Sequence, residues 1–462
     1  MHTTASHFHG SRRGSLLAST FLLFFTYSTA IQQIQKPYKG DTIAIPPWLN
    51  FENPRLKNAY IALQAWKASM LSDPENFTGN WIGSDVCNYT GVFCSPAPDN
   101  PLERTVAVID LNHANIAGTL AHELGLLHDL ALIHLNSNRF CGEIPQSIVN
   151  MKLLHELDLS NNHFPGEFPA TLLDLPELNY LDIRFNEFEG PLPRRLFEKD
   201  LDAIFINNNQ FSSALPDNMG DSPASVIAAA FNKFEGCIPA SVEKMQNLEE
   251  LILSGNKFFS CLPDEIGNLK NLTVLDVSRN KFVGPLPETI ADMENLEELK
   301  VEQNMFSGDV SEEICRLPNL TNFQYDRNFF SGGSPACSHL PIFDDRMNCI
   351  RGRRKQRSAD QCGRFFSKRI HCSAFRCNLP PPSPPAEPQP PPAACSPPSP
   401  PPPPCSSPPP PPVHRPPSPP IAPPPPPPPP PINISPTAPP PSNSSPPPPC
   451  ECIIPAPPPA IP

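Results

Sequence analysis

Two carboxylates, Asp158 and Asp182, recur in matching contexts, Leu157-Asp158-Leu159 and Leu181-Asp182-Ile183. A pair of carboxylates is the equipment of glycoside hydrolysis, one acting as acid and the other as base or nucleophile. The same context also carries Glu156, Glu250, Asp276 and Glu298, so these acids read as rows on a repeating surface rather than as a dedicated pair. His113, His122, His128 and His134 crowd one region, yet their spacing specifies no metal, and they read as solvated or structural. The sequence holds no G-x-S-x-G, P-loop or H-E-x-x-H motif. No catalytic residue, metal ligand or cofactor is assigned, and the chain is read as a non-enzyme. Recognition is the chemistry that remains. Glu156, Asp158 and Asp182 are followed by Tyr180, Phe185, Phe205, Phe231 and Ile252. Acids beside exposed aromatics suit a basic, amphipathic peptide; the competing reading is a row of solvated charges.

A single repeated phrase must position these residues. Its clearest copy runs Leu130, Ile133, Leu135, Asn138, Phe140, Gly142, Ile144, Pro145, that is L-x-x-L-x-L-x-x-N-x-F-x-G-x-I-P. The asparagine returns at Asn162, Asn186, Asn209, Asn232, Asn256, Asn280, Asn304 and Asn328, and Ala114 stands at the first position, giving ten repeats. A Leu/Asn phrase at this fixed period is the signature of an α/β leucine-rich-repeat solenoid of plant type. The L-x-L core predicts a short strand whose alternate side chains point in and out. The asparagine predicts a ladder that satisfies backbone groups between coils. Gly142, Gly166, Gly190, Gly236, Gly284, Gly308 and Gly332 predict a turn of positive φ.

The rest of the chain flanks this array. Residues 1–30 read as a signal peptide: Arg12 and Arg13, an apolar run from Leu16 to Phe25, then Ser28-Thr29-Ala30. That run is too short to span a bilayer. Residues 31–105 read as an N-terminal cap, with a helix started by Asn53 and Pro54 and carrying Leu56, Tyr60, Leu63, Trp66 and Met70 on one face. The repeats occupy 106–335, a Cys-rich basic C-terminal cap 336–378, and a disordered polyproline II tail 379–462. The formal net charge of −12 hides a split: residues 1–345 hold 23 basic and 43 acidic groups, whereas 346–377 hold ten and one. An acidic array favours basic partners and disfavours nucleic acid. Fifteen cysteines fit an oxidising compartment. Cys87 and Cys94 are expected to pair. Cys237 and Cys261 stand at equivalent phase on adjacent coils and are expected to bridge. Cys315, Cys337, Cys349, Cys362, Cys372 and Cys377 form a second group, for which six cysteines allow 15 pairings. Cys141 is then left over, as a buried small residue or an intermolecular bridge. Sequons at Asn76, Asn88, Asn271, Asn319, Asn433 and Asn443 are expected to carry glycans.

The residues also carry a resemblance. The run Asn53-Pro54-Arg55-Leu56 through Trp66-Lys67, then Ser72-Asp73-Pro74, Asn80-Trp81-Ile82-Gly83-Ser84 and Val86-Cys87-Asn88-Tyr89-Thr90-Gly91-Val92-Phe93-Cys94, resembles the leucine-rich repeat extensins of plants. So do Asn136-Ser137-Asn138-Arg139-Phe140-Cys141-Gly142, the segment from Leu181 to Gly190, that from Asp200 to Phe205, and Gly236-Cys237-Ile238-Pro239. The resemblance implies a secreted cell-wall protein that binds basic, cysteine-rich rapid alkalinization factor peptides. It also implies work alongside receptor kinases of the FERONIA type, homodimer formation, and control of wall assembly and polarised growth. The tail departs from the extensin pattern: tyrosine is absent after Tyr325, and Cys395, Cys405, Cys450 and Cys452 appear instead. The alternatives are a polygalacturonase-inhibitor-like defence protein and a structural wall glycoprotein that binds pectin. The run Arg351-Gly352-Arg353-Arg354-Lys355-Gln356-Arg357 is a candidate contact for the last.

Overall fold

The structure is a computed structural model and describes residues 43–375 and residue 377. The leader read at 1–30 and the tail read at 379–462, with its cysteines and its sequons Asn433 and Asn443, lie outside these residues. The first helix, α1, runs Pro54–Ser69. Asn53 caps it, its side chain accepting the Leu56 N–H at 3.0 Å, and Pro54 takes a position whose N–H would have no partner. Leu56, Tyr60, Leu63 and Trp66 are buried, and the Trp66 ring lies 5.7 Å from Phe140 in the second repeat. The helix thereby covers the open apolar end of the array.

The array is built on one sheet of twelve strands. It opens with an antiparallel pair, β1 (Val92–Pro96) and β2 (Arg104–Asp110). Parallel strands follow: β3 (Leu132–His134), β4 (Glu156–Asp158), β5 (Tyr180–Asp182), β6 (Ala203–Phe205), β7 (Val226–Ala228), β8 (Glu250–Ile252), β9 (Val274–Asp276), β10 (Glu298–Lys300), β11 (Asn322–Gln324) and β12 (Ile342–Asp344). β12 lies beyond position 335, so the chain winds one coil further than the repeated phrase declares. Behind the sheet, most coils return through a one-turn 3-10 helix, as at Gln146–Asn150 and Ala170–Asp174.

Two internal columns hold the coils together. Each ladder asparagine accepts one N–H from the coil before it, and its amide donates to backbone carbonyls of both coils. Asn162 accepts from Phe140 N at 2.9 Å and donates to Leu135 O at 2.8 Å and Leu159 O at 3.1 Å. The ladder continues to Asn348, which serves Phe330 N and Tyr325 O in the same way; its neighbours spell no repeat. The second column is aromatic. Phe164, Phe188, Phe211, Phe234, Phe258, Phe282, Phe306 and Phe330 stack coil upon coil, with centroids 5.7–6.4 Å apart. Phe164 to Phe306 in this column are among the largest fully buried side chains.

The residue before each ladder asparagine turns left-handed whatever its type: Ser137, Asn161, Phe185, Asn208, Phe231, Gly255, Arg279, Gln303, Arg327 and Met347 all have positive φ. Gly332 does not share the positive φ of Gly142 or Gly308. Its lack of a side chain instead admits the Asp309 carboxylate, which would lie 2.5 Å from a Cβ there.

Cys87 pairs with Cys94. Cys237 does not pair with Cys261: they join Cys377 and Cys372, respectively. The reason is a stagger. On the front sheet equivalent residues face each other, as Leu157 faces Leu181. On the back, Glu235 faces Lys257 and Gly236 faces Phe258, so each coil slides two residues relative to the last. Equivalent phase there means Cα atoms roughly 8 Å apart, beyond disulfide reach. Cys315–Cys337 and Cys349–Cys362 close the terminal coils. Cys141 is also disulfide-bonded, so it is not a left-over thiol.

Candidate functional site

The front-sheet register sets the candidate residues in two columns. One reads Glu156, Tyr180, Ala203, Val226, Glu250; the other reads Asp158, Asp182, Phe205, Ala228, Ile252. Alternation along each strand turns both columns away from the Leu157, Leu181 and Ile204 core. Between Tyr180 and Ile252 the floor is apolar apart from Glu250, with the small, buried Ala203 and Ala228 at its centre.

Its acidic end is a connected group. Glu156 Oε1 lies 2.9 Å from His134 Nε2. Asp158 Oδ1 accepts from Ser160 N at 2.8 Å and from Ser160 Oγ at 2.5 Å, which fixes the carboxylate's orientation. The Tyr180 and Phe205 rings meet at 5.6 Å, tilted by 50°.

Asp182 departs from the expectation of an exposed contact: it is 0% exposed. Its Oδ1 accepts the Arg184 N–H at 3.1 Å. Arg184 Nε lies 2.9 Å from Oδ2, but it is not aligned as a hydrogen bond, and Oδ2 has no donor. Burial pushes the Asp182 pKa up to about 7. The Arg184 N–H and guanidinium oppose that rise, and the Asp158 charge adds to it. The Tyr180 hydroxyl is raised too, by burial and then by Asp182. Arg184 is the residue that pattern reading missed. Its guanidinium carbon sits 5.2 Å from the Phe205 centroid, placing a cation inside the acidic group. The even spacing of Tyr180, Asp182 and Arg184 was the available signal.

Phe185 and Phe231 stand apart from the floor. Both follow their strands, on the rim, and both are 46% exposed in the left-handed conformation. Asn or Ser adopts that conformation cheaply and a bulky ring does not. Phe231 also packs where a Cβ on Gly255 would lie 2.6 Å from its ring, so the glycine admits it. The sequons lie elsewhere. Asn76 and Asn88 are exposed in the N-terminal cap. Asn271 and Asn319 are exposed before β9 and β11, at the strand edge opposite the phenylalanine rim. Their side-chain amides donate to Gln246 O and Glu294 O, which a glycosylated amide, keeping one N–H, still can do. Among the described residues no helix is long and apolar enough to cross a membrane.

Comparisons with known proteins bear on this architecture. A leucine rich repeat N-terminal domain matches residues 57–95, and leucine rich repeats match 153–175 and 246–306. Leucine-rich repeat extensin-like protein 3 of Arabidopsis thaliana is 74% identical over 336 residues, which is 72% of this chain and 44% of that one. Leucine-rich repeat extensin-like protein 4 of the same plant is 68% identical over 340 residues, covering 73% of this chain and 69% of that one. The chain thus spans under half of the first relative and about two thirds of the second. Among solved structures, a plant peptide hormone receptor, RGFR1 in complex with RGF2, superposes with a TM-score of 0.50 at 29% identity, over 52% of this chain and 40% of that one. A plant ice-binding protein, at 22% identity and a TM-score of 0.54 over 66% of this chain and 96% of that one, shares the fold alone.

Proposed function

This chain belongs to the leucine-rich repeat extensin-like family, and from that premise we propose that it is a secreted cell-wall protein whose front sheet binds basic, cysteine-rich peptides of the rapid alkalinization factor type. In doing so it regulates wall assembly and polarised growth, in concert with receptor kinases of the FERONIA type and as a homodimer, without catalytic chemistry of its own. The observation that carries this reading is the junction of Glu156, Asp158 and buried Asp182 with the Tyr180–Phe205 pair. Carboxylates steer and orient a cationic ligand, and the aromatic floor gives it area to bury. The likeness to a solved plant peptide hormone receptor in complex with its peptide supports a peptide as the ligand.

Calorimetric titration of the full chain, secreted from an oxidising host, with a panel of folded rapid alkalinization factor peptides tests the reading. Glu156→Lys/Asp158→Lys is the informative variant, because Asp182 is buried and a lysine there would disrupt the sheet. Tight binding lost by that variant is the expected result. Tight binding untouched by it moves the site elsewhere, and no binding across the panel overturns the peptide reading.

A second reading has its own observation. Arg346, Arg353 and Arg364 are paired with Asp344, Asp345 and Asp360. Among the described ion pairs Arg351, Arg354, Lys355, Lys368 and Arg369 have no such partner, which leaves a basic end on an acidic molecule. That end suits a polyanionic wall polysaccharide such as pectin. Salt-labile retention on immobilised polygalacturonate would favour it.

A further inference from the structure

Asp182 is a carboxylate held out of water with one oxygen lacking a donor. Such a group is costly unless something completes it. What lies nearest is Arg184, two residues along the same strand direction, with Nε 2.9 Å from Oδ2. The tether is too short for a good bond: the backbone N–H of Arg184 already takes Oδ1, and its guanidinium lies beside the Phe205 ring at 5.2 Å instead of presenting its fork end-on. The Arg184 side chain remains 37% exposed, so it can swing out at little packing cost. An arginine arriving from solvent along the sheet normal is free of that tether. It can aim a fork of N–H donors at the free oxygen while its plane stacks on Phe205.

We propose that Arg184 is an internal stand-in for an arginine of the ligand, occupying the cation slot between Asp182 and Phe205 until the ligand's guanidinium displaces it. The slot is selective for arginine over lysine, because a compact ammonium neither stacks flat on the ring nor presents a planar fork of donors. The groups that face it are Asp158, Glu156, Tyr180 and Arg184 itself, with His134 held on Glu156. The inference rests on the reading of this face as a site for basic peptides and adds the residue by which it chooses among them.

The test uses the full chain and two small probes, tetra-arginine amide and tetra-lysine amide, titrated by calorimetry beside the factor peptides. Arg184→Gln removes the competing charge and keeps an amide donor. The expected result is about a tenfold gain in tetra-arginine affinity, a smaller gain for tetra-lysine, and loss of the gain in Asp182→Asn/Arg184→Gln. Arg195→Gln, which opens the exposed Arg195–Asp174 pair on the far side, is the control for net charge and should leave the affinity unchanged. Unchanged or weaker tetra-arginine binding by Arg184→Gln overturns the proposal, as does an equal gain for both probes or for the control. If no factor peptide binds the wild type but the arginine-selective gain appears, the broader reading falls and the slot stands. If factor peptides bind and the gain is absent, the slot falls and the reading stands.

Discussion

The carboxyl of Asp182 carries a pH dependence whose sign follows from its surroundings. Its folded-state pKa is raised from 3.8 to about 7. Between those values the folded chain keeps a proton that the unfolded chain has released, so stability falls as pH rises through the window and is flat above it. Thermal unfolding followed from about pH 4 to about pH 8 should show that decline in the wild type and a flatter profile in Asp182→Asn. A ligand cation needs the ionised form, so factor-peptide affinity should climb across the upper part of the same window. The rim phenylalanines make a different prediction. Phe185→Asn and Phe231→Asn each relieve a bulky residue of the left-handed conformation and should stabilise the fold by about 1 kcal/mol. The double variant should nonetheless bind peptide more weakly in titration, since it removes two exposed rings. Much of this was legible. The two-residue period placed Glu156, Asp158, Tyr180 and Phe205 on the front. It could not show that Asp182 sits below the surface, because a period gives a side chain's direction and not the height of its neighbours.

At the scale of the coil, the asparagine ladder and the phenylalanine stack are different kinds of glue. Asn209 serves Phe188 N, Ile183 O and Ile206 O, all buried. Asn209→Ala leaves those groups unpaired and should cost about 2 kcal/mol or more, whereas Phe211→Ala opens a cavity between two rings and should cost about 3–5 kcal/mol. Urea denaturation should therefore shift the midpoint more for Phe211→Ala than for Asn209→Ala. The ladder could be read from the repeated phrase; the phenylalanine recurs in it too, but a phrase gives its phase and not the stacking of its rings. The Cys237–Cys261 pairing could not be judged from it, because sequence phase matches spatial opposition on the front sheet and fails on the staggered back. The last coil escaped for another reason: Asn348 follows Asn328 by a shorter step and without the leucines, so no pattern announces β12.

Across the whole molecule, the C-terminal segment folds back along the solenoid. Cys377 and Cys372 reach Cys237 and Cys261, closing loops of 140 and 111 residues. Gly284 makes room for the second bond: a Cβ there would lie 2.7 Å from Cys261 Sγ and 3.0 Å from Cys372 Sγ. Cross-links over loops this long restrict the unfolded chain by about 4–5 kcal/mol in the chain-entropy view. Cys237→Ser/Cys377→Ser should thus unfold at a lower denaturant midpoint, and Gly284→Val should weaken closure of the neighbouring bond, read by thiol labelling of Cys261 and Cys372. The sequence announced a cysteine-rich end; it could not say that this end clasps the sixth and seventh coils, since pairing is a property of the fold.

That clasp decides where tension would enter. Any pull delivered through the chain beyond Cys377 arrives first at the sulfur bridge to Cys237. The coils between Cys237 and Cys377 lie inside the closed loop and are shielded from it. They could not be peeled off one by one from the C-terminal end, as happens when an unclasped stack of repeats is stretched from its last turn. The front sheet from β4 to β6 lies on the N-terminal side of that attachment, so pulling force would pass it by unless something bound to it pulled back. If that sheet were held while the chain beyond Cys377 was pulled, only the coils between β4 and the bridge at Cys237 would carry the load.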